Sequence, residues 1–387
     1  MFKIQMLNNI SNSGLELLPN EGFEVSTEVT NPDGILVRSA NMLDMELPNN
    51  LKAIARAGAG VNNIPIEKCT EKGIVVFNTP GANSNGVKEL VIASLLLSSR
   101  KIIQGISWAQ SLKGKGDEVP KLVEKGKSQF EGPELKDKKI GIIGLGAIGV
   151  MVANDAIALG MEVMGYDPYI SVKAAWGLSS SVIRATNLDY LLSTCDYISI
   201  HVPLTKETKH TLNKEKFDVM KKGMKIINLA RGGLVSNTDL LEAIKDGTVS
   251  CYVTDFPEEE LLGVEEIITI PHLGASTPES EENCAVMAVN QMKEYLESGM
   301  IKNSINFPDC DMQPTDKTRI ITVHCNIPNM IGQMTTILAE NKINIADMLT
   351  RHKDSVGYNV IDIEGTLTED ILNKIRSIPG VKTVRVL

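Results

Sequence analysis

Short runs of apolar residues alternate with amphipathic stretches along most of the chain. After Lys139 the apolar runs are Ile140–Ile143, Glu162–Tyr166, Tyr197–Ile200, Lys225–Asn228, Cys251–Thr254 and Glu266–Thr269. Such runs, with helical patterns between several of them, are typical of parallel strands that crossover helices bury on both faces. The pattern therefore predicts a doubly wound, Rossmann-like α/β domain.

The N-terminal part has the same alternation of strands and helices, with apolar runs at Gly34–Val37, Leu51–Ala55 and Ile74–Phe77, and it predicts a second doubly wound, Rossmann-like domain. A helical pattern then extends from Val87 to about Leu112. The Lys- and Gly-rich stretch Lys113–Gly126 that follows it predicts an exposed loop.

The C-terminal part begins after a further amphipathic helix pattern, Glu279–Ser298. Residues 303–317 are rich in Asn, Pro and Asp without periodicity, which predicts a linker. The pattern of residues 318–387 predicts the elements strand, helix, strand, strand, helix and strand, which is the ferredoxin-like βαββαβ order.

Length and composition narrow the classes of protein. A chain of 387 residues with 43% hydrophobic residues predicts two or three domains. The net charge of -9 argues against binding nucleic acid, and no apolar run approaches the length of a membrane span. Six scattered cysteines without a Cys-x-x-Cys pair argue against a metal site or disulfides, and favour a reducing cytoplasmic setting.

A glycine-rich motif follows the run Ile140–Ile143 and opens a helical pattern. Gly144 permits a tight turn, Gly146 lets backbone approach a pyrophosphate, and Gly149 lets the helix pack on the strand. Asp167 ends the next apolar run, where its carboxylate would bind ribose hydroxyls and repel a 2′-phosphate. The motif predicts a site for NAD rather than NADP, against the alternative of a plain glycine turn with a capping Asp.

Three polar residues follow later strand runs. Arg231, Glu260 and His272 would meet at the carboxyl edge of the sheet. Transfer of a hydride from a 2-hydroxy acid needs a proton acceptor, which His supplies, and a fixed cation for the carboxylate, which Arg supplies. A carboxylate beside the His would hold the ring. Taken alone, each residue is more typical of an ordinary surface or loop position. Their co-occurrence after the glycine-rich motif favours a catalytic role.

These blocks, together with His201–Thr205, Asn228–Gly233 and Pro271–Thr277, resemble the D-2-hydroxyacid dehydrogenase family over nearly the whole chain. By this resemblance Arg231, Glu260 and His272 are the catalytic residues, with Glu259 a weaker alternative to Glu260. The cofactor residues that the resemblance implies are Gly144, Gly146, Ala147, Ile148, Gly149, Asp167, His201, Pro203, Ala230 and Asp255. It also implies a discontinuous substrate-binding domain (1–86 and 279–302) and an inserted NAD-binding domain (87–278), with a cleft between them that closes.

Within the family, the blocks around Arg38 and Arg56 resemble the phosphoglycerate-oxidising group. The implied reaction is NAD-dependent oxidation of 3-phospho-D-glycerate to 3-phosphohydroxypyruvate, the first step of serine biosynthesis. The arginines suit a phosphate, and the glycine-rich loop offers N–H groups to a carboxylate. The implied substrate residues are Arg38, Ser39, Arg56, Gly58, Ala59, Gly60, Asn83 and Lys127. Alternatively, both arginines are ordinary surface residues.

Residues 318–387 resemble an ACT domain, a small amino-acid-sensing module. By resemblance His324, Asn326 and Asn344 would bind serine between two copies of the chain, which implies a homo-oligomer, dimer or tetramer. Otherwise the two Asn are a helix cap and a turn residue. Two other functions stay open: another D-2-hydroxyacid dehydrogenase, or a non-catalytic NAD-sensing interaction protein.

Overall fold

The computed structural model describes residues 1–387, and the chain divides into two compact units. Unit 1 comprises Met1–Asn83 and Pro278–Leu387, and unit 2 comprises Ser84–Thr277. The chain thus leaves unit 1 once and returns to it, and unit 1 also includes residues 303–387, which the sequence analysis assigned to a linker and a separate C-terminal domain.

The strands lie in three sheets. They are β1 (Phe2–Met6), β2 (Phe23–Ser26), β3 (Gly34–Val37), β4 (Ala53–Arg56), β5 (Val75–Phe77), β6 (Lys139–Ile143), β7 (Glu162–Tyr166), β8 (Ile183–Arg184), β9 (Tyr197–Ile200), β10 (Met224–Asn228), β11 (Val249–Thr254), β12 (Ile267–Thr269), β13 (Thr318–Cys325), β14 (Asn344–Lys353), β15 (Val356–Glu364) and β16 (Val381–Val386).

The helices lie mainly between the strands. They are α1 (Asn12–Leu15), α2 (Ile66–Lys72), α3 (Ser84–Ser99), α4 (Ile102–Ser111), α5 (Val119–Gly126), α6 (Ala147–Ala158), α7 (Val172–Gly177), α8 (Leu188–Thr194), α9 (Lys214–Asp218), α10 (Asn237–Lys245), α11 (Pro278–Ser298), α12 (Met330–Glu340) and α13 (Glu369–Arg376). Short 3-10 turns cover Gly116–Glu118, Lys127–Phe130 and Glu259–Leu261.

Unit 2 is built on a seven-stranded parallel sheet in the order β12-β11-β10-β9-β6-β7-β8. Its two faces are covered by separate hydrophobic clusters, which is why its strands are apolar rather than alternating. The chain order reverses between β6 and β9, and ligands of such sheets bind at the carboxyl ends of strands near this reversal.

Unit 1 contains a second parallel sheet, of order β2-β1-β3-β4-β5. Helix α11 packs on one face, where Met292 and Tyr295 join the core, and α2 covers the other through Cys69. Two doubly wound sheets therefore confirm this part of the predicted fold class.

The C-terminal residues form an antiparallel sheet of order β14-β15-β13-β16. This is the ferredoxin-like order that the sequence predicted. Helices α12 and α13 cover one face through a cluster that includes Met334 and Ile375. Much of the other face is also covered, because Ile321, Val323 and Tyr358 join the same core as α11.

The segment 303–317 differs from the predicted linker because part of it is buried. Ser304, Asn306, Phe307 and Cys310 are each at most 9% exposed. The Asn306 side chain accepts a hydrogen bond from the Val76 N–H (2.9 Å) and donates one to the Ile74 carbonyl (2.9 Å). The Asn306 side chain thus satisfies backbone N–H and carbonyl groups at the otherwise unpaired edge of β5, since buried backbone groups need hydrogen-bond partners.

Two helices differ from the sequence prediction. The pattern from Val87 to Leu112 is divided between α3 and α4, with a bend of 67°. The break contains neither Pro nor Gly, so the sequence offered no signal for it. The stretch predicted as a loop contains α5, with Pro120 in its first turn, a favourable position for proline. No single helix is long and apolar enough to span a membrane; the bent pair α3 and α4 together meets that test by length and composition only.

Candidate active site

The carboxyl edge of the unit 2 sheet carries most of the residues expected to act. Because the strands are parallel, all of them end at this one edge. The residues that follow β6, β7, β9, β10, β11 and β12 are, in turn, Gly144, Asp167, His201, Ala230 with Arg231, Asp255 and His272. The fold therefore brings separate sequence blocks to a common edge.

The glycine-rich turn has the backbone geometry that its residue types suggested. Gly144 has φ 93°, in the left-handed region, and its N–H donates to the Tyr166 carbonyl (2.9 Å). A Cβ at Gly149 would lie against the carbonyl oxygen of Gly144. A Cβ at Gly146, which precedes α6, would meet no protein atom within 4 Å. The space above Gly146 and the first turn, with Ala147 and Ile148, is thus left for a phosphate.

Asp167 fastens the turn to the next strand. Its Oδ2 accepts a hydrogen bond from the Leu145 N–H (2.8 Å), and its Oδ1 accepts one from the Tyr169 N–H (2.8 Å). The carboxylate is therefore held in one orientation at the end of β7, and its binding of a ribose stays a prediction.

His201 lies directly after β9, with Pro203 exposed beyond it. Its Nε2 is 2.9 Å from the Ser199 hydroxyl. Burial lowers the pKa of His201 to about 4, so the imidazole is neutral at neutral pH. A neutral ring at this strand end can orient a ligand without taking up a proton.

Arg231 is exposed at the end of β10, and the loop around it is held by Asn228. The Asn228 side chain donates to the Arg231 carbonyl (3.0 Å) and accepts from the Ala230 N–H (3.2 Å). The guanidinium itself donates to the Ala230 carbonyl (2.7 Å). A fixed loop with an exposed cation suits the binding of a carboxylate.

Asp255 is a nearly fully buried carboxylate, 1% exposed, after β11. Its Oδ2 accepts from the Gly274 N–H (3.2 Å), while its Oδ1 is buried without a partner. Burial raises the pKa of Asp255, and the Gly274 N–H, His272 and Arg231 act in the opposite direction. An unpaired buried acceptor costs free energy until a donor arrives, so this oxygen fits an amide group of a bound ligand.

His272 is exposed at the end of β12 in an unusual backbone conformation. Its φ is 45°, which costs a non-glycine residue about 1–3 kcal/mol and is frequent at functional sites. Its N–H donates to the carbonyls of Asp255 (3.1 Å) and Ile270 (3.0 Å). The Phe256 ring lies 4.9 Å from the imidazole, centroid to centroid. The side chain is thus supported on one side and open on the other.

Glu260 lies in the 3-10 turn Glu259–Leu261, and its side chain bonds Asn237 rather than His272. The Asn237 amide donates to Glu260 Oε1 at 2.7 Å. The pairing of Glu260 with His272 therefore stays a prediction, as does the choice between Glu259 and Glu260.

In unit 1, the loop that begins with Arg38 and Ser39 follows β3 and is organised by Asn8. The Asn8 Oδ1 accepts from the N–H groups of Arg38 (2.8 Å), Ser39 (3.0 Å) and Ala40 (3.0 Å). The Arg38 guanidinium is paired with Glu281 at the start of α11. The loop thus presents an arginine whose backbone is fixed and whose side chain lies on the surface.

Arg56 shapes the neighbouring loop after β4. Its Nε donates to the Arg38 carbonyl (2.8 Å), and its Nη1 donates to the Gly60 carbonyl. The carbonyls of Gly58 and Ala59 accept from the Thr79 N–H (3.1 Å) and the Asn78 amide (2.6 Å). The N–H groups of Ala59 and Gly60 donate to no backbone carbonyl, so they are available to an anion.

The other predicted residues lie in separate places. Asn83 is the last residue of the first segment of unit 1. Lys127 belongs to unit 2, where it is exposed, pairs with Glu124 (2.5 Å) and borders an open cavity with Trp108 and Phe130. His324 is buried in β13 with Nδ1 2.7 Å from the Cys325 carbonyl oxygen, and its Nε2 has no partner.

Asn326 and Asn344 lie at opposite ends of the C-terminal sheet. Asn326 donates to the Asp354 carbonyl (3.1 Å), whereas Asn344 donates to Glu364 Oε2 (2.9 Å). In the sheet register, Gly357 pairs with His324 on one side and with His352 on the other. His352 lies eight residues along β14 from Asn344, so Asn344 is about 26 Å along the strand from the end that carries His324. A single copy of the chain does not bring the three predicted effector residues together.

Several supporting residues were missed by the sequence analysis. They are Asn8, Ser199, Asn237, Phe256 and Glu281. Ser199 lies two residues before His201 on the same strand, so strand alternation could have found it. The others reach their partners through the folded backbone, and no local pattern marks them.

Several known proteins are similar to this chain. A family model described as D-isomer specific 2-hydroxyacid dehydrogenase, NAD binding domain, matches residues 92–274. The D-3-phosphoglycerate dehydrogenase of Methanocaldococcus jannaschii is 33% identical over 368 residues, which are 90% of this chain and 67% of that protein. The D-3-phosphoglycerate dehydrogenase of Haemophilus influenzae is 31% identical over 382 residues, 95% of this chain and 89% of that protein.

A solved structure has a similar fold. It is 3-phosphoglycerate dehydrogenase of Entamoeba histolytica with NAD+ bound, which has a TM-score of 0.61 and 28% identity, and covers 79% of this chain and 98% of its own. The open space at Gly146 and the unpaired buried oxygen of Asp255 fit such a cofactor.

Proposed function

Because this chain belongs to the D-isomer specific 2-hydroxyacid dehydrogenase family, we propose that it oxidises 3-phospho-D-glycerate to 3-phosphohydroxypyruvate with NAD. The relatives reported above carry the name of this reaction. NAD-dependent oxidoreduction follows from the family, and the particular substrate is the proposal. The same activity would supply the first step of serine biosynthesis.

The proposed substrate rests on one observation, the groups in unit 1 that suit anions. Arg38 stands at the end of β3, and the N–H groups of Ala59 and Gly60 are available at the end of the adjacent strand β4. A guanidinium suits a phosphate, and consecutive N–H groups suit a carboxylate. A small acid that carries both anions would satisfy both features.

Unit 2 supplies the chemistry. The exposed Arg231 would hold the substrate carboxylate and draw electron density from the carbonyl that forms at C2. His272 would accept the proton of the 2-hydroxyl, and Phe256 would keep the imidazole in place. Glu260 would turn from Asn237 to stabilise the protonated ring. This movement separates the proposed working state from the arrangement described above.

NAD would be held by the glycine-rich turn, Asp167 and Asp255. Its pyrophosphate would lie over Gly146 and the start of α6, and its ribose hydroxyls would bind Asp167. A carboxamide N–H would satisfy the buried Asp255 Oδ1. Bound NAD supplies the acceptor for the hydride that leaves C2.

The test is an absorbance assay of NADH with 3-phosphoglycerate, D-glycerate and D-lactate, each with NAD. Wild type should prefer the phosphorylated acid, and Arg38→Ala should raise its KM at least about tenfold while changing D-glycerate little, since one charge-assisted contact is lost. Equal activity with all three acids would favour a general 2-hydroxyacid dehydrogenase. No turnover, with NAD still bound, would favour the NAD-sensing interaction protein.

We further propose that the C-terminal sheet is an ACT domain that senses serine between two copies of the chain. Edge strand β14 has an unpaired side, and strand edges readily pair with a second copy. Edge pairing about a twofold axis would bring His324 and Asn326 of one copy toward Asn344 of the other. The unpartnered His324 Nε2 supports a ligand there, since buried polar groups normally have partners.

A serine titration of the dehydrogenase reaction tests this proposal. Serine should inhibit wild type, and Asn326→Ala and Asn344→Ala should each remove inhibition while turnover without serine stays the same. Asn341→Ala is a matched control, because this exposed Asn bonds only the end of its own helix, at Ile337 O (2.7 Å). Wild type indifferent to millimolar serine would leave the sheet without this role.

A homo-oligomer is also proposed on the basis of helix α4. No residue of this helix is buried, and Ile102, Ile103 and Ile106 are 39%, 41% and 57% exposed. Apolar side chains clustered on one exposed helix suit a second copy. Light scattering of Ile106→Glu beside wild type should show a smaller particle for the variant.

A further inference from the structure

The arginine proposed to recognise phosphate is already engaged by a carboxylate. Arg38 Nη2 pairs with Glu281 Oε1, and the two side chains are 44% and 46% exposed. Both residues belong to unit 1, although 243 positions separate them in the sequence. A phosphate that approaches Arg38 therefore meets a competitor that belongs to the protein.

Neighbouring groups restrict how Arg38 can respond. Asn8 fixes its backbone N–H, and Arg56 Nε donates to its carbonyl, so the loop cannot follow a ligand freely. Glu281 is equally constrained, because it lies in the first turn of the 21-residue helix α11, whose Ala285, Ala288 and Met292 are buried in the core. The side chains can move while both backbones stay fixed.

We propose that Glu281 is a specificity-determining residue that occupies Arg38 in the absence of substrate and is exchanged for a phosphoryl dianion. This inference rests on the proposed role of Arg38 in substrate binding. An exposed ion pair is weak, so a dianion can displace Glu281 from Arg38. A neutral hydroxymethyl group has no charge with which to do so. After the exchange the carboxylate remains close enough to repel the bound phosphate.

Removal of the Glu281 charge should therefore strengthen phosphate binding. Glu281→Gln keeps the size of the side chain and should lower the KM for 3-phosphoglycerate about three- to tenfold, with kcat little changed. The KM for D-glycerate should stay the same, since that acid never competes for Arg38. A structural role for Glu281 in holding Arg38 ready would give the opposite result, a higher KM.

Two further variants separate this exchange from general effects. Glu282→Gln removes the same charge one residue further along α11, from an exposed side chain with no ion pair, and should change neither KM. In the Arg38→Ala background, Glu281→Gln should strengthen phosphate binding much less than it does in the wild-type background, because the competition for Arg38 is gone and only the repulsion of the phosphate remains.

A binding experiment tests the exchange without relying on the substrate. Calorimetric titration with inorganic phosphate at about pH 8, where the dianion predominates, is done with saturating NAD so that the glycine-rich turn is occupied. Glu281→Gln should bind phosphate about three- to tenfold more tightly than wild type and Glu282→Gln. If binding tightens but 3-phosphoglycerate is not oxidised, the substrate proposal fails and the exchange stands. If 3-phosphoglycerate is oxidised but Glu281→Gln matches Glu282→Gln, the exchange is wrong.

Discussion

Asp255 illustrates how one buried carboxylate can serve a ligand at the expense of stability. Burial raises its pKa, and one of its oxygens has no partner in the protein. A carboxyl whose pKa is raised on folding binds more protons folded than unfolded, so its favourable contribution exists at low pH and is lost as pH rises through the raised pKa. Asp255 therefore contributes least to the stability of the ligand-free protein at neutral and higher pH.

Replacement of Asp255 by Asn should raise the melting temperature of the free protein at neutral pH by about 2–4 °C, the size expected for about 1 kcal/mol. The gain should shrink as pH falls through the raised pKa of Asp255, because the wild-type carboxyl then becomes protonated as well. Asp246→Asn is the control of opposite sign, because hydrogen bonds from Thr248 and Lys222 lower the pKa of Asp246 to about 2. Thermal melts at several pH values measure both effects. A destabilised Asp255→Asn at all pH values would contradict this account.

His272 and Glu260 allow proton transfer to be tested residue by residue. His272→Ala should lower kcat about 100-fold or more with NAD binding little changed, because general base catalysis typically contributes that much. Glu260→Gln should move the acidic limb of the pH–rate profile toward lower pH, since a carboxylate beside the imidazole favours its protonated form.

Glu259→Gln is the matched control, and its pH–rate profile should coincide with that of wild type. A shifted profile for Glu259→Gln alone would transfer the role to that neighbour. If His272→Ala keeps most of its turnover, another group accepts the proton.

At the scale of elements, the turn between β6 and α6 contains one glycine needed for packing, Gly149, and one that leaves space for a ligand, Gly146. Gly149→Ala would press a methyl group against the Gly144 carbonyl and should destabilise unit 2 by about 1–3 kcal/mol, the usual cost of overpacking. Gly146→Ala meets no protein atom, so its melting temperature should stay near that of wild type. Its added methyl would still stand where a pyrophosphate approaches, and its Kd for NAD should rise about tenfold or more.

Thermal melts without NAD and calorimetric titration with NAD distinguish the two glycines. A Gly146→Ala variant that binds NAD normally would remove the pyrophosphate from this turn. A Gly149→Ala variant as stable as wild type would mean that α6 can shift to make room.

At the scale of the molecule, unit 1 joins the C-terminal sheet to the five-stranded sheet through one core. Arg319 is central to this junction: it forms two hydrogen bonds with the buried Asp362 (2.7 and 2.9 Å) and donates to the carbonyls of Ser298, Met312 and Gln313. Lys382 and Lys353 add contacts with the carbonyls of Thr70 and Ile305. The C-terminal sheet should therefore unfold together with the rest of unit 1.

Arg319→Met should destabilise unit 1 by about 3–5 kcal/mol, because it leaves the buried Asp362 carboxylate without its cationic partner. Lys317→Met removes the exposed pair with Glu364 and should change the free energy of unfolding by less than about 1 kcal/mol. Hydrogen exchange should show protection falling in both β4 and β13 of Arg319→Met. A loss confined to β13 would mean that the two sheets unfold separately.

The sequence by itself determined the two parallel sheets, the ferredoxin-like order and the strand-end positions of Arg231, Asp255 and His272. These depend on local information: apolar runs, turn residues, and the rule that parallel strands end at one edge. Even the roles of Gly144 and Gly149 could be inferred, since they follow from backbone sterics within a few residues.

Only the tertiary structure decided the contacts between distant residues. It placed Glu281 on Arg38 and buried Asn306 against β5 where the composition indicated a linker. It also paired Glu260 with Asn237 through a hydrogen bond and packed the C-terminal sheet in the same core as α11. The physical reason is that an exposed charge or an asparagine has no periodicity to reveal its partner. Its partner is whichever unsatisfied group the completed backbone brings within hydrogen-bonding distance.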